Sequence, residues 1–153
     1  MKKLPHHHHL EPCSPEELVE NALARLKQQG FKMTKKRREI LEIFAESSKY
    51  HTAKYIHQTL TQNYPTMSYN TTYRNLYDFV EEGILESTEY NQEQWFRISC
   101  QTHDHHHHFI CTNCGLTIPI DACPMDDIHT DLSGVEIKSH RFEIFGLCQD
   151  CKS

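Results

Sequence analysis

The stretch SYNTTYRNLYDFVEEGILESTEYNQEQWFRIS, residues 68–99, decides the fold. Ser68 is a helix N-cap residue type, Tyr73, Leu76, Phe79 and Val80 recur at helical spacing, and Gly83 stops the run. The β-prone segments ILEST and QWFRIS then flank the polar turn EYNQE, which is the pattern of a hairpin. Upstream, Thr52 caps a shorter helix carrying Ala53, Ile56 and Leu60, and NYPTMS supplies the turn between the two helices. Two short helices joined by a tight turn and followed by a hairpin make a winged helix-turn-helix. Further outward, Thr34 caps a helix that buries Ile40, Leu41 and Phe44. Ser14-Pro15-Glu16-Glu17 forms a capping box ahead of Leu18, Val19, Ala22, Leu23 and Leu26, a helix that ends at Gly30.

The chain has 153 residues, 37% hydrophobic and 24% charged, enough for one domain or two small ones and too short for a large multidomain enzyme. Its net charge of -5 argues on its face against a nucleic-acid partner. That charge is an average over unlike halves: residues 1–98 hold 13 cations and 13 acids, and residues 99–153 hold 3 and 8. Arg25, Lys27, Lys32, Lys35, Lys36, Arg37 and Arg38 follow one another with no acid between them, directly before the helix-turn-helix. They are placed to contact the phosphates of double-stranded DNA, Lys36 and Arg37 foremost. At the start of the candidate recognition helix, Tyr69, Asn70 and Tyr73 offer base-edge or thymine-methyl contacts, and Arg74 offers phosphate or guanine. Tyr73 also fits a core position.

No apolar run reaches the 18 or so residues of a membrane span, and no charged start precedes an apolar segment, so a cytoplasmic protein is expected. Residues 1–13 are a His-rich tail, read either as native or as a tag remnant, and His6 to His9 are set aside from site arguments.

The 13 His and 7 Cys are a high density of metal ligands. Cys111-Thr-Asn-Cys114 and Cys148-Gln-Asp-Cys151 are two CxxC knuckles that together complete a closed tetrahedral thiolate shell, the signature of structural zinc. His105-His106-His107-His108 leads into the β-prone run before Cys111. Along an extended strand, His105 and His107 face one way and His106 and His108 the other, so one strand can feed two sites. Cys100 lies on the connection into this strand, and a thiolate beside two imidazoles favours zinc over iron or manganese. Glu86 or Glu89 can complete that set. His140, on the alternating segment VEIKSHRFEIF, and Asp126, on a short helix after Pro124, can complete the other.

The chain from about Leu18 to Cys151 resembles the ferric uptake regulator family of metal-responsive repressors, and within it the zinc uptake regulator branch. The resemblance rests on TTYRNL, HHHHFICTNCG, the CPMD segment at Cys123 to Asp126, and HRFEIFGLCQDC. It implies an α+β protein: a winged-helix DNA-binding domain with hinge over residues 14–98, and a metal-binding α/β dimerisation domain over residues 99–153, stapled by the four-cysteine zinc. It further implies a homodimer that binds palindromic operator DNA when loaded with zinc, one ion structural and one or two regulatory per protomer. The hinge sensing site falls on Glu86, Cys100, His106 and His108, and a second regulatory site on His105, His107, Asp126 and His140. Several relatives use a His where this chain has Tyr50, which makes Glu86 versus Glu89 the least determined ligand position. Cys123 matches no ligand position of the family and reads as a packed or redox-exposed thiol. His51, His57, His103 and His129 are assigned no site.

These features predict a zinc-responsive repressor of zinc-uptake genes and no enzyme activity. A peroxide- or iron-sensing repressor is the alternative within the family, set back by Cys100, where harder oxygen ligands are expected. A zinc hydrolase would call for an HExxH, a nucleophile elbow or an acid one helical turn from a ligand pair, and none is present. Zinc storage would leave the basic segment and the helix-turn-helix without a use.

Overall fold

Each of the four α-helices begins where a hydroxyl side chain satisfies a backbone N–H group that the first turn leaves open. The computed structural model describes residues 13–99, 107–128 and 131–153, with only the backbone described at Asp126. Ser14 accepts from the Glu17 N–H at 3.2 Å while its own N–H donates to the Glu17 carboxylate at 2.9 Å, a complete capping box that opens α1 (Pro15–Gln28). Thr34, Thr52 and Ser68 start α2 (Lys35–Ala45), α3 (Ala53–Leu60) and α4 (Tyr69–Glu81) in the same way. The apolar stripes of the four helices meet around Leu26, Ile40, Leu41, Phe44, Ile56, Leu60, Leu76 and Phe79, all fully or nearly fully buried.

The hairpin after α4 pairs β2 (Leu85–Tyr90) with β3 (Glu93–Ile98) in the register Leu85↔Ile98 to Tyr90↔Glu93. Its two-residue turn puts Asn91 and Gln92 at φ of 51° and 64°, the left-handed pair that matches strand twist in a tight hairpin. A short β1 (His51–Thr52), not anticipated from the sequence, pairs with the other edge of β3 and ties the start of α3 to the wing.

A second sheet has the order β5-β4-β6. Here β4 (His107–Cys111) lies antiparallel to β5 (Thr117–Ile120) and parallel to β6 (Glu143–Gly146). Pro124–Asp127 forms the expected short helix, of 3-10 type. The alternating segment VEIKSHRFEIF, expected as one long strand, is strand only from Glu143; residues 135–142 are outside any sheet. A strand needs a partner for its backbone groups, and among the described residues the strand paired with this segment is β4, whose register with it begins at His108↔Glu143. The sequence pattern marks amphipathicity and does not reveal whether a partner exists.

The two sheets touch directly. The Tyr50 N–H donates to the Gly115 carbonyl at 3.0 Å, Arg141 donates to the Ser87 carbonyl at 3.0 Å, Thr88 bonds the Glu143 carboxylate, and the rings of Tyr90 and Phe145 stack at 4.8 Å. Gly115 has no room for a side chain, because a Cβ there would lie 2.1 Å from the Tyr50 carbonyl oxygen, and its φ is +76°. No helix among the described residues is long and apolar enough to cross a membrane.

Candidate metal centres and nucleic-acid interface

The end of β4 and the end of β6 lie side by side because their parallel register pairs Cys111 with Gly146. The chain turns back after Cys111, with the Gly115 N–H donating to the Cys111 carbonyl at 2.9 Å, and the second knuckle closes through Cys151 N–H to the Cys148 carbonyl at 3.0 Å. These turns bring the sulfurs of Cys111, Cys114, Cys148 and Cys151 within 4.8 Å of one another. The 3.7 Å between the Cys114 and Cys148 sulfurs matches the edge of a tetrahedral zinc–thiolate shell, about 3.8 Å for bonds of about 2.3 Å. The residues therefore fit a tetrahedral thiophilic ion.

Burial opposes ionisation of Cys111, but N–H groups of Cys114, Cys148 and Asn113 donate to its sulfur and bring the thiol down to about 6. Asn113 donates to Cys151 and lowers it, yet the Cys148 sulfur, burial and the remaining two sulfurs push it up to about 11. Hydrogen bonding thus favours the Cys111 thiolate, and crowding of the sulfurs makes a further thiolate harder to create without a cation.

His107 and His108 occupy opposite faces of β4. Both are buried. His108 Nε2 lies 3.4 Å from the Arg97 guanidinium, and since Arg97 can only donate, Nε2 accepts. The same guanidinium is 3.4 Å from the Glu86 carboxylate and donates to the Ser48 carbonyl at 2.8 Å. Arg97 therefore joins Glu86, from the wing, to His108, from the second sheet. Glu89 is exposed, accepts from Gln94 at 3.2 Å and lines a cavity with Thr88, Arg141, Glu143 and Phe145. Cys100 and His106, the other expected hinge ligands, lie outside the described residues, as does His105 of the second expected set, and the Asp126 side chain is not described.

On the other face of β4, His107 Nε2 is 3.3 Å from His140 Nε2, which is 3.4 Å from the Cys123 sulfur. These three donor atoms lie within 4.8 Å of one another. His107 and His140 were expected together; the thiol beside them was not, because Cys123 is 16 residues from one partner and 17 from the other. Arg97 was likewise missed: its strand position carries no sign of the neighbours it acquires.

The recognition helix exposes Tyr69, Asn70 and Arg74 near its amino end. Tyr73 is half-buried, stacked on Tyr69 with ring centroids 5.9 Å apart and packed edge-on to Phe96 at 6.4 Å. His57 hydrogen-bonds Thr72 at 2.8 Å and so braces α3 against α4. Among the basic residues, Arg37 is drawn inward: it donates to Asn75 of α4 at 3.2 Å and to the Lys32 carbonyl, and lies over the Phe31 ring. Arg38 pairs with Glu20 at 2.8 Å, and Lys36 sits over the Tyr64 ring at 5.3 Å. Lys32 and Lys35 are exposed beside them.

A winged helix joined to a small sheet that gathers cysteine and histidine donors defines a metal-responsive DNA-binding regulator. Residues 28–145 match the model of the ferric uptake regulator family. The chain is 49% identical over 132 residues to the ferric uptake regulation protein of Staphylococcus aureus, covering 86% of this chain and 96% of that protein. Against the Staphylococcus epidermidis protein of the same name identity is 47%, covering 86% and 94%. The chain belongs to the ferric uptake regulator family, whose members are dimeric, DNA-binding, metal-responsive transcription regulators. Its fold is similar to that of the Helicobacter pylori ferric uptake regulator, at 21% identity, TM-score 0.68, and coverage of 92% and 95% of the two chains. It is similar also to a zinc uptake regulator complexed with zinc and DNA, at 23% identity, TM-score 0.67, and coverage of 91% and 95%.

Proposed function

We propose that this chain is a repressor of metal-uptake genes that binds palindromic operator DNA as a metal-loaded homodimer. In this reading residues 14–98 form the DNA-binding domain and residues 99–153 the dimerisation domain. The observation that carries it is the Arg97 junction, where Glu86 of the wing and His108 of the second sheet are brought to one group. Glu86, Cys100, His106 and His108 form the hinge sensing site, His105, His107, Asp126 and His140 the second regulatory site, and the four cysteines hold structural zinc. A divalent ion held by these residues would supply a positive charge on which ligands from separate segments converge, where the Arg97 guanidinium bridges Glu86 and His108. Glu86 then moves with His108, and the spacing between the two recognition helices of a dimer is fixed to successive major-groove half-sites. Lys36, Tyr69, Asn70, Tyr73 and Arg74 contact the DNA, while Arg37 positions α4 through Asn75.

The identity of the signal has two supports that point apart. The relatives at 49% and 47% identity are named for ferric uptake, which favours iron as the ion sensed and iron-uptake genes as the target. The Cys100 thiolate and two imidazoles favour zinc. Affinity rises from manganese through iron to zinc at such ligands, so zinc binds more tightly in either case, and the physiological signal is set by which free ion crosses its threshold in the cell. Iron, carried by close relatives over almost the whole chain, is the first reading; zinc is the second. Operator binding titrated against separately buffered free iron(II), zinc and manganese, with bound metal counted per protomer, discriminates them. Half-saturation by iron(II) at free concentrations that leave zinc sites unfilled supports the first reading; response to zinc alone overturns it.

A further inference from the structure

We propose that Cys123 is a thiolate ligand of the second regulatory site, joining His107 and His140 and making it a sulfur-containing zinc centre. The inference rests on the reading that His107 and His140 bind a regulatory ion, and adds a donor that changes which ion they prefer.

Three separate segments converge there. His107 opens β4, Cys123 immediately precedes the short helix Pro124–Asp127, and His140 lies just before β6. Pro124 at the first helical position restricts the extended backbone of Cys123, at φ -107° and ψ 118°. His107 is buried, and its ring is held perpendicular to Phe142 at 5.5 Å. Its orientation is therefore set by packing, as a preformed ligand requires.

The spacings are those of donors around one small cation. Zinc bonds of about 2.05 Å to nitrogen and about 2.3 Å to sulfur give tetrahedral edges of about 3.3 Å between nitrogens and about 3.6 Å between nitrogen and sulfur. The observed values are 3.3 Å between the two Nε2 atoms and 3.4 Å from His140 Nε2 to the sulfur. A single ring nitrogen has one in-plane site for a proton or a lone pair, yet His140 Nε2 approaches both neighbours at once. An ion between all three donors accounts for the convergence.

A thiolate with two imidazoles selects zinc over iron or manganese, whereas a carboxylate in its place would relax that preference. The second site therefore holds zinc whichever ion the hinge senses.

The test uses full-length protein with zinc in the four-cysteine site, verified by metal analysis, and the Cys100→Ser substitution as background so that no hinge thiolate contributes. Cobalt(II) is added as probe, and the near-ultraviolet thiolate-to-cobalt charge-transfer band is recorded. The background protein is expected to develop the band on cobalt binding. Adding Cys123→Ser is expected to abolish it and to weaken that cobalt site by at least about tenfold, since loss of even an outer-shell partner can cost that much. The Ser variant should keep its structural zinc and the thermal midpoint of the cobalt-free protein, which separates ligand loss from misfolding. If Cys123→Ser leaves band and affinity unchanged while His140→Ala removes cobalt binding, the second site stands and the Cys123 assignment is overturned. If His140→Ala also changes nothing, the second-site reading itself is overturned.

Discussion

His51 begins β1, with its ring stacked on Tyr55 at 4.8 Å and tilted against Phe44 at 5.9 Å. Burial, and then the neighbouring charge of Lys49, hold its pKa below the ordinary 6.5. The unfolded chain therefore takes up a proton at His51 before the folded one does, so stability from this group is full above pH 6.5 and falls as pH drops below it. His51→Gln is expected to make the acid-side loss of stability shallower, with ligand protonation contributing equally to both proteins. Urea midpoints at several pH values below 6.5 check this, and parallel curves for the two proteins would refute it. At this scale, what was legible in the chain was local: Ser14, Thr34, Thr52 and Ser68 cap helices by reaching three residues onward. Cys123 and Arg97 were illegible because their chemistry depends on neighbours delivered by the fold.

Among the elements, β4 does most to set up the sites. Strand alternation was readable from the His run, and it puts His107 beside His140 and His108 beside Arg97. The knuckle that follows β4 clamps onto Tyr50, the residue just before β1, through Gly115. Gly115→Ala is expected to destabilise the protein by about 1–3 kcal/mol, because the added Cβ collides with rigid backbone rather than a yielding side chain. It should also weaken metal-dependent operator binding, since the clamp joins the four-cysteine knuckle to the winged helix. Thermal unfolding and operator titration of the zinc-loaded variant measure both, and wild-type values in both would show the clamp to be inconsequential. The segment 135–142 was misread as strand because alternation reports which faces are apolar and leaves pairing open.

For the whole molecule, acidic charge and exposed aliphatic surface gather in the same part of the chain. The acidic excess lies in residues 99–153, and so do the exposed aliphatic side chains Ile118, Ile128, Leu132, Val135, Ile137, Ile144 and Leu147, whereas the large exposed apolar residues of the winged-helix half are Met33 and three tyrosines. Exposed apolar side chains on this scale mark a partner surface, and here a second copy of the chain fits the proposed dimer. Ile137→Asp is expected to shift the dimer toward monomer in sedimentation and to weaken operator binding by at least about tenfold; an intact dimer would place the interface elsewhere. Gating of DNA binding by metal at the hinge is tested by operator binding of wild type and Cys100→Ser across buffered free metal, with structural zinc retained. Wild type is expected to bind only as metal rises, and Cys100→Ser to remain a folded dimer that does not respond. Equal metal-dependent binding by both proteins, or wild-type binding unaffected by chelation, would contradict the account.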